Sequence, residues 1–167
     1  MRWLTYFILA YVMVGVQSGL GGFVEIWGAR PDLVLICVIF IAMNAPRDAA
    51  LLGAFVLGVL ADLLSLNPLG LRALSYSLVA MFTLSSAPIV HRTHPLSHFS
   101  LAFVGSLLAS IVILIHGLIH GPTPRITVLF FTALYTGVVA IFVLGILQRI
   151  RRIFAFQPKR MAATRSR

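Results

Sequence analysis

The chain has 167 residues, of which 60% are hydrophobic and only 10% charged, and it carries a formal net charge of +9. A water-soluble domain has roughly 25% charged residues, so this composition argues against an ordinary soluble fold and makes lipid the expected solvent. The bases sit singly between apolar runs and then crowd at the C-terminus, the pattern of membrane orientation and not of a nucleic-acid-reading face.

The first apolar run, about 3–24, is longer than the ~7–15 residue core of a signal peptide and shows no small-x-small cleavage site, so it reads as a retained helix. The second, about 31–45, opens on Pro31 and Asp32 and is short. From Pro31 to Pro46 a helix rises about 22 Å at ~1.5 Å per residue, against a hydrocarbon core of about 30 Å. Either the helix runs on through Pro46, or neighbours shield its ends, or the bilayer thins locally; a five-span chain with a re-entrant second segment is the alternative. Cys37 lies inside this run and is the sole cysteine, so no intrachain disulfide can form and the residue reads as a small apolar one.

The third run, about 48–66, contains Asp62, one of four carboxylates in the chain with Glu25, Asp32 and Asp48. On a helix, Phe55, Gly58, Val59, Asp62, Ser65 and Leu66 share a face, and Ala54 and Gly58 precede Asp62 at four-residue spacing. Small residues at that spacing admit a second helix, so the acid is expected to point into a bundle. Asp62 lies four residues from the end of the run, where an ionised acid costs less than the ~2.5–3.5 kcal/mol of the bilayer centre. Next comes Asn67-Pro68-Leu69-Gly70, a turn in which Pro68 fixes φ and Gly70 is free to adopt unusual dihedrals. The fourth run, about 70–90, starts there, and its free N–H groups and the Arg72 guanidinium are the expected donors to Asp62. The preferred reading is a structural clasp between the third and fourth helices; a proton or ligand site and a direct partner contact are the alternatives.

The fifth and sixth runs, about 96–119 and 126–148, are long and apolar. No run alternates polar and apolar residues as a membrane β-strand does. His116 and His120 have the i, i+4 spacing of a metal pair, but no Glu or Cys lies nearby and Gly121-Pro122 ends the helix, so they read as an interfacial helix end. His91, His94 and His98 are separated by Pro95 from any common helical face and read as juxtamembrane polarity. Gly19, Gly21 and Gly22 follow no strand and make no phosphate loop. The carboxylates fall on both membrane sides, which leaves no evident acid–base pair and predicts a protein that is not an enzyme and takes no cofactor or metal.

With six spans, Arg2, Arg47, Arg92 and the seven bases from Arg149 onward share one side, against Arg30, Arg72 and Arg125 on the other. That bias places both termini in the cytoplasm, although most of it comes from the tail. Residues 1–148 thus read as one transmembrane domain and 149–167 as a basic cytoplasmic tail. Arg149, Arg151, Arg152, Lys159 and Arg160, interleaved with Ile150, Ile153, Phe154 and Phe156, suit contact with anionic lipid; a topology anchor with a disordered end is the simpler reading. The fold class is an all-α integral membrane protein, a compact bundle of about six transmembrane helices.

The stretches RPDLVLICVIFIAM at 30–43 and PRDAALLGAFVLGVLADLLSLNPLGLRAL at 46–74 resemble the rod shape-determining protein MreD family. The family pattern has Pro-Asp opening an apolar helix, here Pro31 and Asp32. A Gly-rich helix follows and ends in Asp-Leu, here Gly53, Gly58, Asp62 and Leu63. A short polar turn then leads to Pro-Leu-Gly, here Pro68, Leu69 and Gly70. Leu66 stands where a small residue is common, and the tail is more basic than the family's. The resemblance implies a multi-pass protein of the bacterial cytoplasmic membrane, with a fold similar to the substrate-binding subunits of energy-coupling vitamin transporters. It implies a scaffold that partners MreC and joins the MreB filament to the glycan polymerase and transpeptidase of peptidoglycan synthesis. Two other functions compete with this. A small-solute-binding transporter subunit would show a cavity lined by polar groups between helices. A lipid-modifying enzyme would need converging histidines and carboxylates.

Overall fold

A computed structural model describes residues 3–20, 25, 28–65, 68–86, 95–121 and 125–150. Six α-helices run through these residues: α1 Trp3–Leu20, α2 Leu33–Asn44, α3 Arg47–Leu63, α4 Leu71–Ser86, α5 Pro95–His120 and α6 Ile126–Ile150. Among the described residues, α5 and α6 are long and apolar enough, by length and composition, to cross a membrane. Large apolar side chains of the described residues face outward on every helix but α2, including Phe55, Met81, Ile115 and Phe142. So broad an exposed apolar surface is unstable in water and suits lipid.

The short second helix is the hub. Its ten residues from Val34 to Met43 are all buried, and it packs against each of the other five helices. A helix that is apolar all round belongs inside a bundle. Of the resolutions open to the sequence, continuation through Pro46 is not adopted. The helix ends at Asn44, Ala45 turns extended, and Pro46 caps α3. Proline favours this break, because the residue before it is pushed out of the helical region.

Small residues recur on the inner faces of the helices around the hub, among larger side chains such as Leu57, Val79 and Leu144. Ala50, Ala54, Gly58 and Ala61 line the inner face of α3; Ala102, Gly105 and Ala109 line α5; Ala133, Gly137 and Ala140 line α6. In lipid, burial of apolar area does not drive helix association, and close van der Waals approach takes its place. Gly58 shows how close: a Cβ there would lie 2.3 Å from the Cα and 2.6 Å from the N of Ala73. The α3–α4 contact is therefore backbone against backbone. Gly137 likewise makes room for the Phe99 ring, which stacks on Phe103 at 5.7 Å between centroids.

Two assignments from sequence are corrected here. Phe55, grouped with Gly58 on one face, is 52% exposed. The buried arc of α3 runs from Leu57 through Ala54 to Asp62, and Phe55 falls just past its edge. His98, read as juxtamembrane, is buried on α5, with its Nε2 3.5 Å from Gln148 Nε2 on α6. Pro95 begins α5, so His98 sits in the first turn of a helix whose inner face it shares. His91 and His94 lie outside the described residues. His116 and His120 stack at 4.7 Å near the end of α5, and no group of three metal-ligating side chains forms among the described residues.

Candidate functional site

Two helix starts, those of α2 and α4, meet at one end of the bundle. A helix begins with four N–H groups that have no partner within it. Near lipid those groups must find acceptors, because an unsatisfied backbone polar group there costs several kcal/mol.

At α4 the acceptor comes from another helix. Asp62, one residue before the end of α3 and 1% exposed, accepts the Gly70 N–H at 2.8 Å through Oδ2. Its Oδ1 and Oδ2 both accept the Arg72 N–H at 3.1 Å, and Oδ2 also lies 3.4 Å from the Ala73 N–H. The carboxylate thus does for α4 what a local N-cap side chain would do, and its negative charge lies at the positive end of the helix dipole. Gly70 reaches this position with φ at +98°, a conformation that costs L-residues with a Cβ about 1–2 kcal/mol. Ser65 turns back on the same corner, its Oγ donating to the Asp62 carbonyl at 3.3 Å. Pro68 is exposed, and its carbonyl accepts the Leu71 N–H at 3.3 Å. Sequence reasoning also offered the Arg72 guanidinium to Asp62. It is the backbone N–H of Arg72 that makes the contact; its side chain turns toward Tyr76.

At α2 the cap is local. Asp32 is the N-cap, and its Oδ1 accepts the Leu35 N–H at 2.9 Å. Gln17 of α1 takes the Val34 N–H at 2.9 Å. The Tyr76 hydroxyl of α4 donates to Asp32 Oδ2 at 2.6 Å, and the Asp32 N–H donates to Thr136 Oγ1 of α6 at 3.1 Å. Three helices, α2, α4 and α6, are therefore joined through one aspartate, and Gln17 ties α1 to the same helix start. Pro31 and Arg30 lead into it, and Arg30 pairs with Glu25, its Nε donating to Oε2 at 2.8 Å. Tyr76, Gln17 and Thr136 escaped the sequence reading. A tyrosine one turn beyond Arg72 inside an apolar run was the available signal.

Between these two caps lies a cavity of about 780 Å³, lined by Gln17, Asp32, Arg72, Tyr76, Ser106, Ser110 and Thr132 together with apolar walls such as Val14, Ile113 and Val139. Tyr76, Ser106 and Ser110 are buried in the bundle, and the Arg72 Nε is buried with no hydrogen-bond partner among the described residues. Of the bases suited to lipid contact, Arg149 is exposed in the last turn of α6, where a cation complements the helix dipole. Arg151, Arg152, Lys159 and Arg160 lie outside the described residues.

The family model for rod shape-determining protein MreD matches residues 1–155. No curated protein and no solved structure gives a significant match. The family match spans nearly the whole chain and includes both caps, from Pro31-Asp32 to Asp62 and Pro68-Leu69-Gly70. On that match, the chain belongs to the MreD family of rod shape-determining membrane proteins.

Proposed function

We propose that this protein is a non-catalytic scaffold of the bacterial cell-elongation complex, crossing the cytoplasmic membrane six times with both termini inside. It couples an MreC-like membrane partner, and through it an MreB-like filament, to the glycan polymerase and transpeptidase that build the wall. The observation that carries this reading is the use made of Asp62: its oxygens are engaged by backbone donors of α4 and hold two helices together. A group committed in this way fixes a shape and is poorly placed to shuttle protons. The exposed apolar sides of α5 and α6, with Ile111, Ile115, Phe142 and Ile146, offer surface to lipid or to a partner's membrane helix.

The test is complementation in a rod-shaped bacterium depleted of its own MreD. The tagged chain is expected to restore rods and to bring down an MreC-like protein in mild detergent. Restored rods with no such partner recovered would refute the scaffold reading. The cavity lends support to a second reading, a small-solute-binding membrane subunit, because it has polar groups between helices as such a subunit requires.

A further inference from the structure

The Arg72 side chain is the one feature of the site that neither cap explains. It projects beside Tyr76 into the 780 Å³ cavity, and its Nε has no hydrogen-bond partner among the described residues. A guanidinium has five N–H donors and no acceptor, so it is satisfied only by oxygens that approach it. The two nearest carboxylates are already engaged. Asp62 holds the start of α4, and Asp32 holds Leu35 and the Tyr76 hydroxyl. Both favour the Arg72 cation through space, and Tyr76 hydrogen-bonds it, but among the described residues neither carboxylate closes an ion pair with it. Each also lies at a helix N-terminus, whose dipole offsets part of its charge. What the described residues leave unanswered is therefore the buried Nε donor of Arg72 and not its whole charge. Ser106 and Ser110, one turn apart on α5, line the same cavity and are buried residues. Val14, Ile113 and Val139 give it apolar walls.

We propose that this cavity binds an oxyanion, a phosphate group in the first instance, through Arg72 with Ser106 and Ser110, while its apolar walls hold the body of the same ligand. A guanidinium with neighbouring hydroxyls is a phosphate-binding set. The volume lies within the ~300–1,000 Å³ of small-molecule sites, enough for a headgroup and too little for a whole two-chain lipid. Phosphate chemistry reaches such a site either on a lipid headgroup or on a free solute, and the experiment separates them.

The full-length chain, purified in a neutral detergent, is titrated with inorganic phosphate, with phosphatidylglycerol and with diacylglycerol of the same chain length. Binding is read by thermal unfolding and by native mass spectrometry. Two variants accompany it. Arg72→Gln keeps the backbone N–H that Asp62 uses, and Ser110→Leu fills the cavity and removes one proposed hydroxyl while Arg72 is kept. Phosphatidylglycerol is expected to bind the parent chain and raise its unfolding midpoint, with apparent affinity falling about tenfold or more in both variants. Stabilisation by inorganic phosphate as well assigns the site to a soluble anion; stabilisation by phosphatidylglycerol alone assigns it to a lipid headgroup. Three results would overturn the proposal: no stabilisation by either phosphate compound, equal stabilisation of the variants, or equal stabilisation by diacylglycerol. Equal stabilisation of the variants would indicate adsorption on surface bases such as Arg149. No partner protein takes part, so the outcome is independent of the scaffold role.

Discussion

Replacing Asp62 separates an acceptor from a charge. In Asp62→Leu the N–H groups of Gly70, Arg72 and Ala73 lose their acceptor at once. Gly70 is exposed and recovers water, whereas Ala73 is buried and does not. One buried donor left unsatisfied costs about 1–3 kcal/mol. The loss of the N-cap, about 1 kcal/mol, is part of this cost and not additional to it. The leucine also has no room to grow, because α3 and α4 touch backbone to backbone one turn away at Gly58. The expected loss is about 3 kcal/mol. In Asp62→Asn the amide oxygen can take the place of Oδ2, which accepts from all three donors. What is lost is the charge assistance, about 1 kcal/mol. Heating the purified protein in mild detergent and following monodisperse material by size exclusion should rank the parent first, Asp62→Asn second and Asp62→Leu last. At about 2–4 °C per kcal/mol for a chain of this size, the two variants should stand apart by several degrees. If Asp62→Asn fails as badly as Asp62→Leu, the carboxylate is needed for its charge or its proton, and the clasp argument is wrong.

The close approach at Gly58 predicts a sharp contrast between two glycines of α3. Gly58→Ala should lower stability by about 3 kcal/mol, since the new Cβ meets Ala73 backbone atoms that cannot move aside, while Gly53→Ala, whose Cβ finds Ile41 at an ordinary 3.6 Å, should leave it unchanged or raise it by up to about 1 kcal/mol. The same detergent melt checks both, and equal effects would refute the contact. Tyr76→Phe removes the donor to Asp32 Oδ2 and should destabilise by about 1–2 kcal/mol. Adding Asp32→Asn to that variant should cost less than Asp32→Asn alone, which a double-mutant cycle measures directly. Finally, the double change His116→Ala with His120→Ala should leave rod shape and viability intact in the complementation strain; loss of growth would revive an enzymatic role for the stacked pair.

Much of the α3–α4 corner was legible because its parts are close in the chain. Asp62, Gly70 and Arg72 fall within eleven residues, and a turn between two helices leaves few places for an acid at the end of the first to point. The burial of α2 was not fixed by its residues, since a short apolar run suits a shielded hub and a re-entrant segment equally. The exposure of Phe55 and the burial of His98 were misjudged for a related reason. A face extrapolated from one polar residue is centred wrongly by a fraction of a turn when that residue lies at the edge of the buried arc, as Asp62 does, and a histidine next to a proline gives no direction at all.

Composition determined that this chain dissolves in lipid, because so few charges cannot solvate so large an apolar surface, and the long apolar runs without polar–apolar alternation determined that it folds as helices, which satisfy their own backbone. Local order determined which helix starts lack a donor's partner and where an acid stands near them. The rotation of each helix about its axis was settled only by tertiary packing. α1, α2, α5 and α6 are apolar nearly all round and carry little directional signal. Close packing of small residues chose the faces, and in doing so brought Asp32, Tyr76 and Thr136, separated by as many as 104 positions, into one hydrogen-bonded set beside the Arg72 cavity.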